Sequence, residues 1–410
     1  MTIESIEIKP EFQKYNIKNP IPLYVADFLE TYKDYSLDLG TGTKFHITID
    51  RLYPREKINP ILKLAHEDDA KEIARICEEV YEGTYPYKEI ENDEAIKEMI
   101  KSPQHQFILF KLKNSKNAGC FRFSLDFDNK KGYMGGFMVR KKYQGRLDVV
   151  KAIMGSFIWI WGKYQNKILV WYCENRTAHA SSQYITAVCG VHTVAIFPNK
   201  DIFFNEIESD VMGVIYAKNA LYELRKKAIP SIINEVEEIY NYVDKIYSLG
   251  NVSIESHKIE LDINKITQLF SSFRREKNQN NFGYTRITYS LASSKSYFSF
   301  IHSKHIQNIE KIKYHINDLE ELYLFLQELY KYIVAHNIRY CEIFASAYRP
   351  DIQQLFYEMG FIPRGYVPCW EYNKNTNEFE DFVVFNYFKG ELSNIDLLPE
   401  GMRLLKCIKF

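Results

Sequence analysis

The sequence predicts an α/β (α+β) protein of two similar halves, each a mixed, mainly antiparallel sheet flanked by helices. Three observations lead there. Short apolar runs alternate with longer stretches of helical periodicity. A strand, helix, strand, strand order occurs twice at one spacing. The 410 residues also exceed the usual length of a single domain.

Residues 1–58 carry weak periodicity and turn signals at Asn19-Pro20 and Gly40-Thr41-Gly42, so they read as an extension packed on the first domain. ILKLA (61–65) is a strand. In EDDAKEIARICEEVY, Ala70, Ile73, Ala74, Cys77, Val80 and Tyr81 share one helical face behind an acidic first turn. A short helix near 91–101 ends before Pro103. Three strands come next, QFILFKLK (106–113), AGCFRFSLDF (118–127) and GYMGGFMV (132–139), the last two joined by the turn DNKKG. Gly135-Gly136 in the third reads either as a bulge or as a weakly packed interior. A helix over 146–162 and the strand KILVWYCE (167–174) complete this run.

The repeat defines the rest. Gln183-x6-Gly190-x7-Pro198 recurs as Gln353-x6-Gly360-x7-Pro368, 170 residues on. Upstream, ILVWYCE pairs with IRYCEIF; downstream, SDVMGVIY pairs with EDFVVFNY after a slip of one residue. The boundaries that result are an extension (1–58), a first domain (59–216), a helical linker (217–250), a second domain (251–390) and a tail (391–410).

Lys plus Arg and Asp plus Glu both number 53, so no global field favours nucleic acid or an anionic membrane. The start is neither basic nor followed by an apolar segment, and no run reaches the roughly 18 apolar residues of a membrane span. The expected location is cytoplasmic. Seven scattered cysteines without CxxC spacing argue against a disulfide framework or a zinc site and read as small buried hydrophobes.

The stretch KKYQGRLDVV (141–150) lies where a strand gives way to a helix, and a helix N-terminus with unpaired amides binds phosphate if the chain lets the anion approach. Gly145 permits that approach, and Arg140, Lys141, Lys142 and Arg146 add positive charge. The alternative is a solvated basic turn. At a spacing of 170 its counterpart, KIKYHINDLE, has neither glycine nor arginine and reads as the approach to a helix capped by Asn317.

This order of elements, with VRKKYQGRLDVV between the fourth strand and its helix, resembles the GNAT acetyltransferase superfamily over about 60–217, and in degenerate form over about 255–388. The resemblance implies an acyl-CoA co-substrate, most simply acetyl-CoA, and no metal. The family's loop is Q/R-x-x-G-x-G/A; Gln144 matches its first position, whereas Leu147 and Val149 replace its glycines. By resemblance, Gln144, Gly145, Arg146 and Leu147 line the pyrophosphate. The backbone of Phe137, Met138 and Val139 would pair with the pantetheine arm, where the fourth and fifth strands splay.

Amine acylation requires an ammonium of pKa about 10.4 to lose a proton and a thiolate to leave. The fourth strand has no Asp or Glu. Glu174, ending the fifth, is the expected base or else a paired surface carboxylate; Asp126 and Asp128 sit by the preceding turn. In the family's N-x-x-A-x-x-L-Y-x-x-x-G-F pattern the acid is a tyrosine. Here Thr186 takes its place and His179 that of the asparagine, with Asn175 and Tyr184 near enough to substitute. His179 reads as catalytic or as a helix cap. In the second half the aligned residues are Phe356 and Arg349.

FRREKNQNN (273–281) reads as an exposed loop, and Phe361 to Tyr372, with Pro363, Pro368 and Trp370, as a strand-pair edge walling an acceptor pocket between the halves. The leading expectation is a CoA-dependent N-acyltransferase acting on an amine acceptor. The rivals are a non-catalytic acyl-CoA-binding or structural protein and a tRNA-dependent aminoacyl transferase.

Overall fold

A single fifteen-stranded sheet runs through the computed structural model, which describes residues 21–35, 37–45, 56–113, 116–256 and 258–409. The turn signal at Asn19-Pro20 lies outside the described residues. In chain order the first elements are α1 (Val25–Thr31), β1 (Thr43–Lys44), β2 (Ile61–Leu64), α2 (Ala70–Tyr81), α3 (Asp93–Lys101), β3 (His105–Lys111), β4 (Asn117–Asp126), β5 (Lys131–Val139), α4 (Val149–Tyr164), β6 (Val170–Arg176), α5 (Ser181–Ala187), β7 (His192–Phe203) and β8 (Glu206–Tyr216). Next come α6 (Lys218–Tyr222), β9 (Ser231–Ile232), α7 (Glu237–Tyr247) and β10 (Ser253–Ile254). The last are α8 (Ile263–Ser272), β11 (Phe273–Gln279), β12 (Tyr284–Leu291), β13 (Tyr297–Ser303), β14 (Asn308–His315), α9 (Leu319–Ala335), β15 (Tyr340–Ser346), α10 (Pro350–Glu358), β16 (Ile362–Asn373), β17 (Glu378–Phe388) and α11 (Pro399–Lys406).

The sheet order is β1-β2-β3-β4-β5-β6-β8-β7-β16-β17-β15-β14-β13-β12-β11. Within this sheet only β5/β6 and β14/β15 are parallel, so the mainly antiparallel α/β class expected from the pattern is the one observed. From each outer edge inward, β2-β3-β4-β5-β6-β8-β7 and β11-β12-β13-β14-β15-β17-β16 share the same relative order. The two runs join where Gly365 of β16 pairs with Ala195 of β7. Phe361 to Tyr372 is therefore an inner strand, not an edge.

Apolar periodicity explains the layers. α2 buries Ala70, Ile73, Ile76, Cys77 and Tyr81 on one sheet face. α4, apolar nearly all round, lies on the other, with Phe157 stacked on Trp161 at 4.3 Å and α1 packed over it through Phe28. The linker covers the join: Tyr240 meets Tyr366 edge-on, Tyr247 donates to Val214 O (2.9 Å), and Arg225 pairs with the fully buried Asp381 (2.6 Å).

Two expectations change in the second run. FRREKNQ is strand β11, not a loop; its side chains are exposed on both faces, so the edge shows no alternation to read. β11 and β12 form a hairpin, without the two helices that separate β2 from β3. Helix α9 is capped by Asp318, which accepts Glu321 N at 3.1 Å, rather than by Asn317. The spacing also shifts here. Lys131 and Asn308, which open the parallel pairings, are 177 residues apart, whereas the caps Asp148 and Asp318 are 170 apart. The second run therefore passes from strand to helix seven residues sooner, with no room for the basic loop.

Candidate functional site

β5 pairs with β6 only at Lys131↔Val170, Gly132↔Trp171 and Tyr133↔Tyr172. A bulge makes the strands part: β5 places Gly136 and Phe137 opposite the single residue Phe121, and Gly136 takes φ +65°, which favours glycine. Beyond it, Phe137 packs on Phe110 and Phe121, and Met138 is buried toward α2. Val139 is also buried, and its carbonyl accepts the Gln144 side-chain amide at 3.1 Å. β14 and β15 part likewise after Asn308↔Tyr340 and Ile309↔Cys341, but there the Tyr314 hydroxyl reaches across to Phe344 O (3.4 Å).

After Val139 a 3-10 turn over Lys141–Tyr143 leads to Gln144 and Gly145, and α4 begins at Val149, not 146. Most loop amides are spent internally. Arg146 N and Leu147 N donate to Tyr143 O, Gln144 N to Arg140 O, and Val149 N to Leu147 O. The segment 57–59 runs alongside: Ile58 N donates to Arg146 O (2.9 Å), Asp148 N to Ile58 O (3.0 Å), and the Lys57 ammonium to Gly145 O. Asp148, 3% exposed, puts a carboxylate at the helix start and accepts Lys151 N at 3.5 Å. Arg140 is paired with Glu72 and Glu79, and Lys141 with Glu82. Lys142 lies over the Tyr143 ring and Arg146 is exposed; these are the cations of the loop without an ion pair among the described residues.

At the inner end of the gap, Glu174 of β6 accepts the Lys200 ammonium at 3.1 Å, and the same ammonium donates to Glu342 of β15 at 3.1 Å. Glu342 also accepts the Tyr340 hydroxyl (2.9 Å). Lys200 is 1% exposed; burial works against its charge, but Glu174, Glu342 and Glu310 carry it well above its ordinary value. Burial pushes Glu342 up to about 7 against the pull of Lys200. Asp210 of β8, paired across the strands with Arg176, is also pushed up to about 7, by burial first and then by the field of Glu174. Its neighbour Asp201 is likewise raised well above its ordinary value, by burial and then by Asp210. One buried oxygen of each, Oδ1, has no hydrogen-bond partner.

Of the residues singled out from the sequence, Glu174 alone joins this cluster among the expected acids and bases. His179 is exposed ahead of α5, and Tyr184 is buried in the core beneath α4. Asn175 Nδ2 donates to Thr186 Oγ1 (3.1 Å) and Cys173 Sγ (3.3 Å). Gln183 and Gln353 do matching structural work. Each donates to a strand-end carbonyl, Arg176 O or Ser346 O, and each ties down a passing segment, at Asp396 and Leu398 or at Ser231 and Ile233. Lys200, Asp201, Asp210 and Arg122 were missed; the available signal was a charge inside an otherwise apolar strand run, as in SDVMGVIY. Among the described residues no His, Cys, Asp and Glu group is arranged to hold a metal ion, and no helix is long and apolar enough to cross a membrane.

No family model and no curated protein matches the chain. Solved structures similar to part of it include a variant of the spermidine N-acetyltransferase SpeG from Vibrio cholerae, at 10% identity over 38% of this chain and 95% of that one, TM-score 0.33. Another is the ribosomal-protein-S5-alanine acetyltransferase from Vibrio fischeri, at 17% identity over 40% of this chain and 95% of that one, TM-score 0.33.

Proposed function

We propose that the chain is a CoA-dependent N-acyltransferase, with acetyl-CoA the simplest donor, that moves an acyl group to an amine at the β5/β6 gap. One observation carries this reading. β5 and β6 part beyond Tyr133 and Tyr172, beside the basic loop, and β8 on the other side of β6 carries a buried carboxyl, Asp210, whose proton affinity is matched to neutral pH. In this reading the main chain of Phe137, Met138 and Val139 holds the pantetheine arm. Gln144, Gly145, Arg146, Leu147 and Lys142 face the pyrophosphate, and the segment 57–59 gives way as it enters. Asp210, with Glu174 setting its field, takes the proton that the amine releases as the C–N bond forms and the C–S bond breaks. Residues 59–216 are then the acyl-CoA domain, 217–250 a linker, and 251–390 a second copy of the fold that has lost the loop.

A second reading, acyl-CoA binding without transfer, is favoured by the number of loop amides already spent within the chain. Incubation of the full chain with acetyl-CoA and a panel of small amines, monitoring the free CoA thiol, separates the two. Amine-dependent thiol release that falls at least a hundredfold in Asp210→Asn is expected. Bound acetyl-CoA with no release for any amine would favour the second reading.

A further inference from the structure

Arg122 stands on β4 opposite Gly135, on the sheet face that α2 covers. It is 8% exposed, its Nε is buried without a hydrogen-bond partner, and it forms no ion pair among the described residues. A guanidinium keeps its charge at any ordinary pH, so leaving one buried and unpaired is strongly unfavourable. Such a group in a folded chain asks for an explanation, and a missing ligand is one.

Its surroundings favour a ligand. A Cβ built on Gly136 would stand 3.5 Å from Arg122 Cβ, 3.8 Å from Arg122 Nε and 3.9 Å from the Tyr85 hydroxyl, so the bulge sets the guanidinium and the phenol around the same glycine. The Tyr133 ring lies over neighbouring Gly135. His105 of β3 lies within the field of Arg122, holds Ser124 Oγ at 3.1 Å and is kept neutral, first by burial and then by Arg122 itself. From Tyr85 the ring of Phe203 leads across at 6.4 Å to Arg176 (4.0 Å over that ring), the strand partner of Asp210. An unpaired cation thus lies at one side of the phenols, and the orphaned carboxyl oxygens of Asp201 and Asp210 at the other.

We infer that Arg122 binds a carboxylate on the acceptor, so that the substrate class is a free amino acid. This rests on the N-acyltransferase reading above. A single guanidinium flanked by phenols suits a singly charged carboxylate, held by paired N–H groups, whereas a phosphate dianion calls for further cations.

Calorimetric titration of the full chain, without acyl donor, tests this. The probes are glycine, L-alanine, L-phenylalanine and L-lysine against methylamine, ethylamine, phenethylamine and cadaverine, with O-phosphoethanolamine as the phosphate arm. The expected result is that at least one amino acid binds tenfold or more tighter than its amine, and that this preference vanishes in Arg122→Met and returns in part in Arg122→Lys. Tyr85→Phe, which alters only a hydroxyl, serves if Arg122→Met fails to fold, and should weaken the same amino acid severalfold. Equal binding of acids and amines, no binding by any amino acid, an unchanged preference in Arg122→Met, or a preference for phosphoethanolamine would each overturn the inference. Thiol release measured in parallel keeps the two readings apart. Arg122-dependent binding without acyl transfer overturns the enzyme assignment alone, and transfer to amines that ignores Arg122 overturns the carboxylate site alone.

Discussion

Ala195 of β7 and Gly365 of β16 face each other as antiparallel partners, and they stand 170 residues apart, the spacing that separates Gln183, Gly190 and Pro198 from Gln353, Gly360 and Pro368. The contact has no spare room: a Cβ on Gly365 would lie 2.2 Å from Ala195 Cβ and 2.8 Å from Val194 O. Gly365→Ala must therefore move backbone, and we expect a loss of about 1–3 kcal/mol, measured by urea unfolding. A variant as stable as the parent would mean that the join adapts freely.

The buried carboxyls give a pH signature. Asp210 and Glu342 are both pushed up to about 7 in the folded chain, above their unfolded values, so they hold protons that the unfolded chain has released. Their contribution to stability is full below the ordinary carboxylate range and declines as pH rises through about 7. Thiol release should run the other way, rising with pH as Asp210 ionises, and that limb should disappear in Asp210→Asn. Because Asp201 and Asp210 are coupled, the limb belongs to the pair. A rate flat from pH 5 to 8 in the parent would remove Asp210 from the chemistry.

Asp148 caps α4 with a charge where the pyrophosphate loop would receive another. Asparagine caps a helix as well as aspartate. Asp148→Asn should thus preserve the fold and tighten acetyl-CoA about three- to tenfold by removing like-charge repulsion. The corresponding change in the second run, Asp318→Asn, should leave that affinity unchanged. Equal affinities for Asp148→Asn and the parent would place the pyrophosphate elsewhere.

Most of the fold was legible because alternation and helical periodicity are strong where one face is buried: β3 to β5, α2 and the α5/α10 repeat all derive from it. The glycines at 190 and 360 belong to that legible part, each left-handed at the exit of its helix. β11 was not legible, because an edge strand wet on both faces carries no apolar alternation. The strand spacing of β14 was hidden by the missing loop, which displaces Lys131 and Asn308 from the repeat. The chemistry was the least legible. Arg122, Lys200 and Asp210 are charged residues that a sequence reading assigns to the surface, and only the assembled sheet with its covering helices buries each of them. Glu174 was found because it lies in a recognisable strand, two residues before its end.

The most direct measurement is a calorimetric titration of acetyl-CoA into the full chain and into a Lys142→Ala, Arg146→Ala variant. These two cations lack ion pairs, so their removal leaves the fold intact. We predict binding by the parent that weakens about tenfold or more in the double variant, as expected for two lost charge-assisted contacts to a pyrophosphate. No binding of acetyl-CoA or longer acyl-CoAs by the parent, or equal binding by the two proteins, would contradict a pyrophosphate site on KKYQGRLDVV.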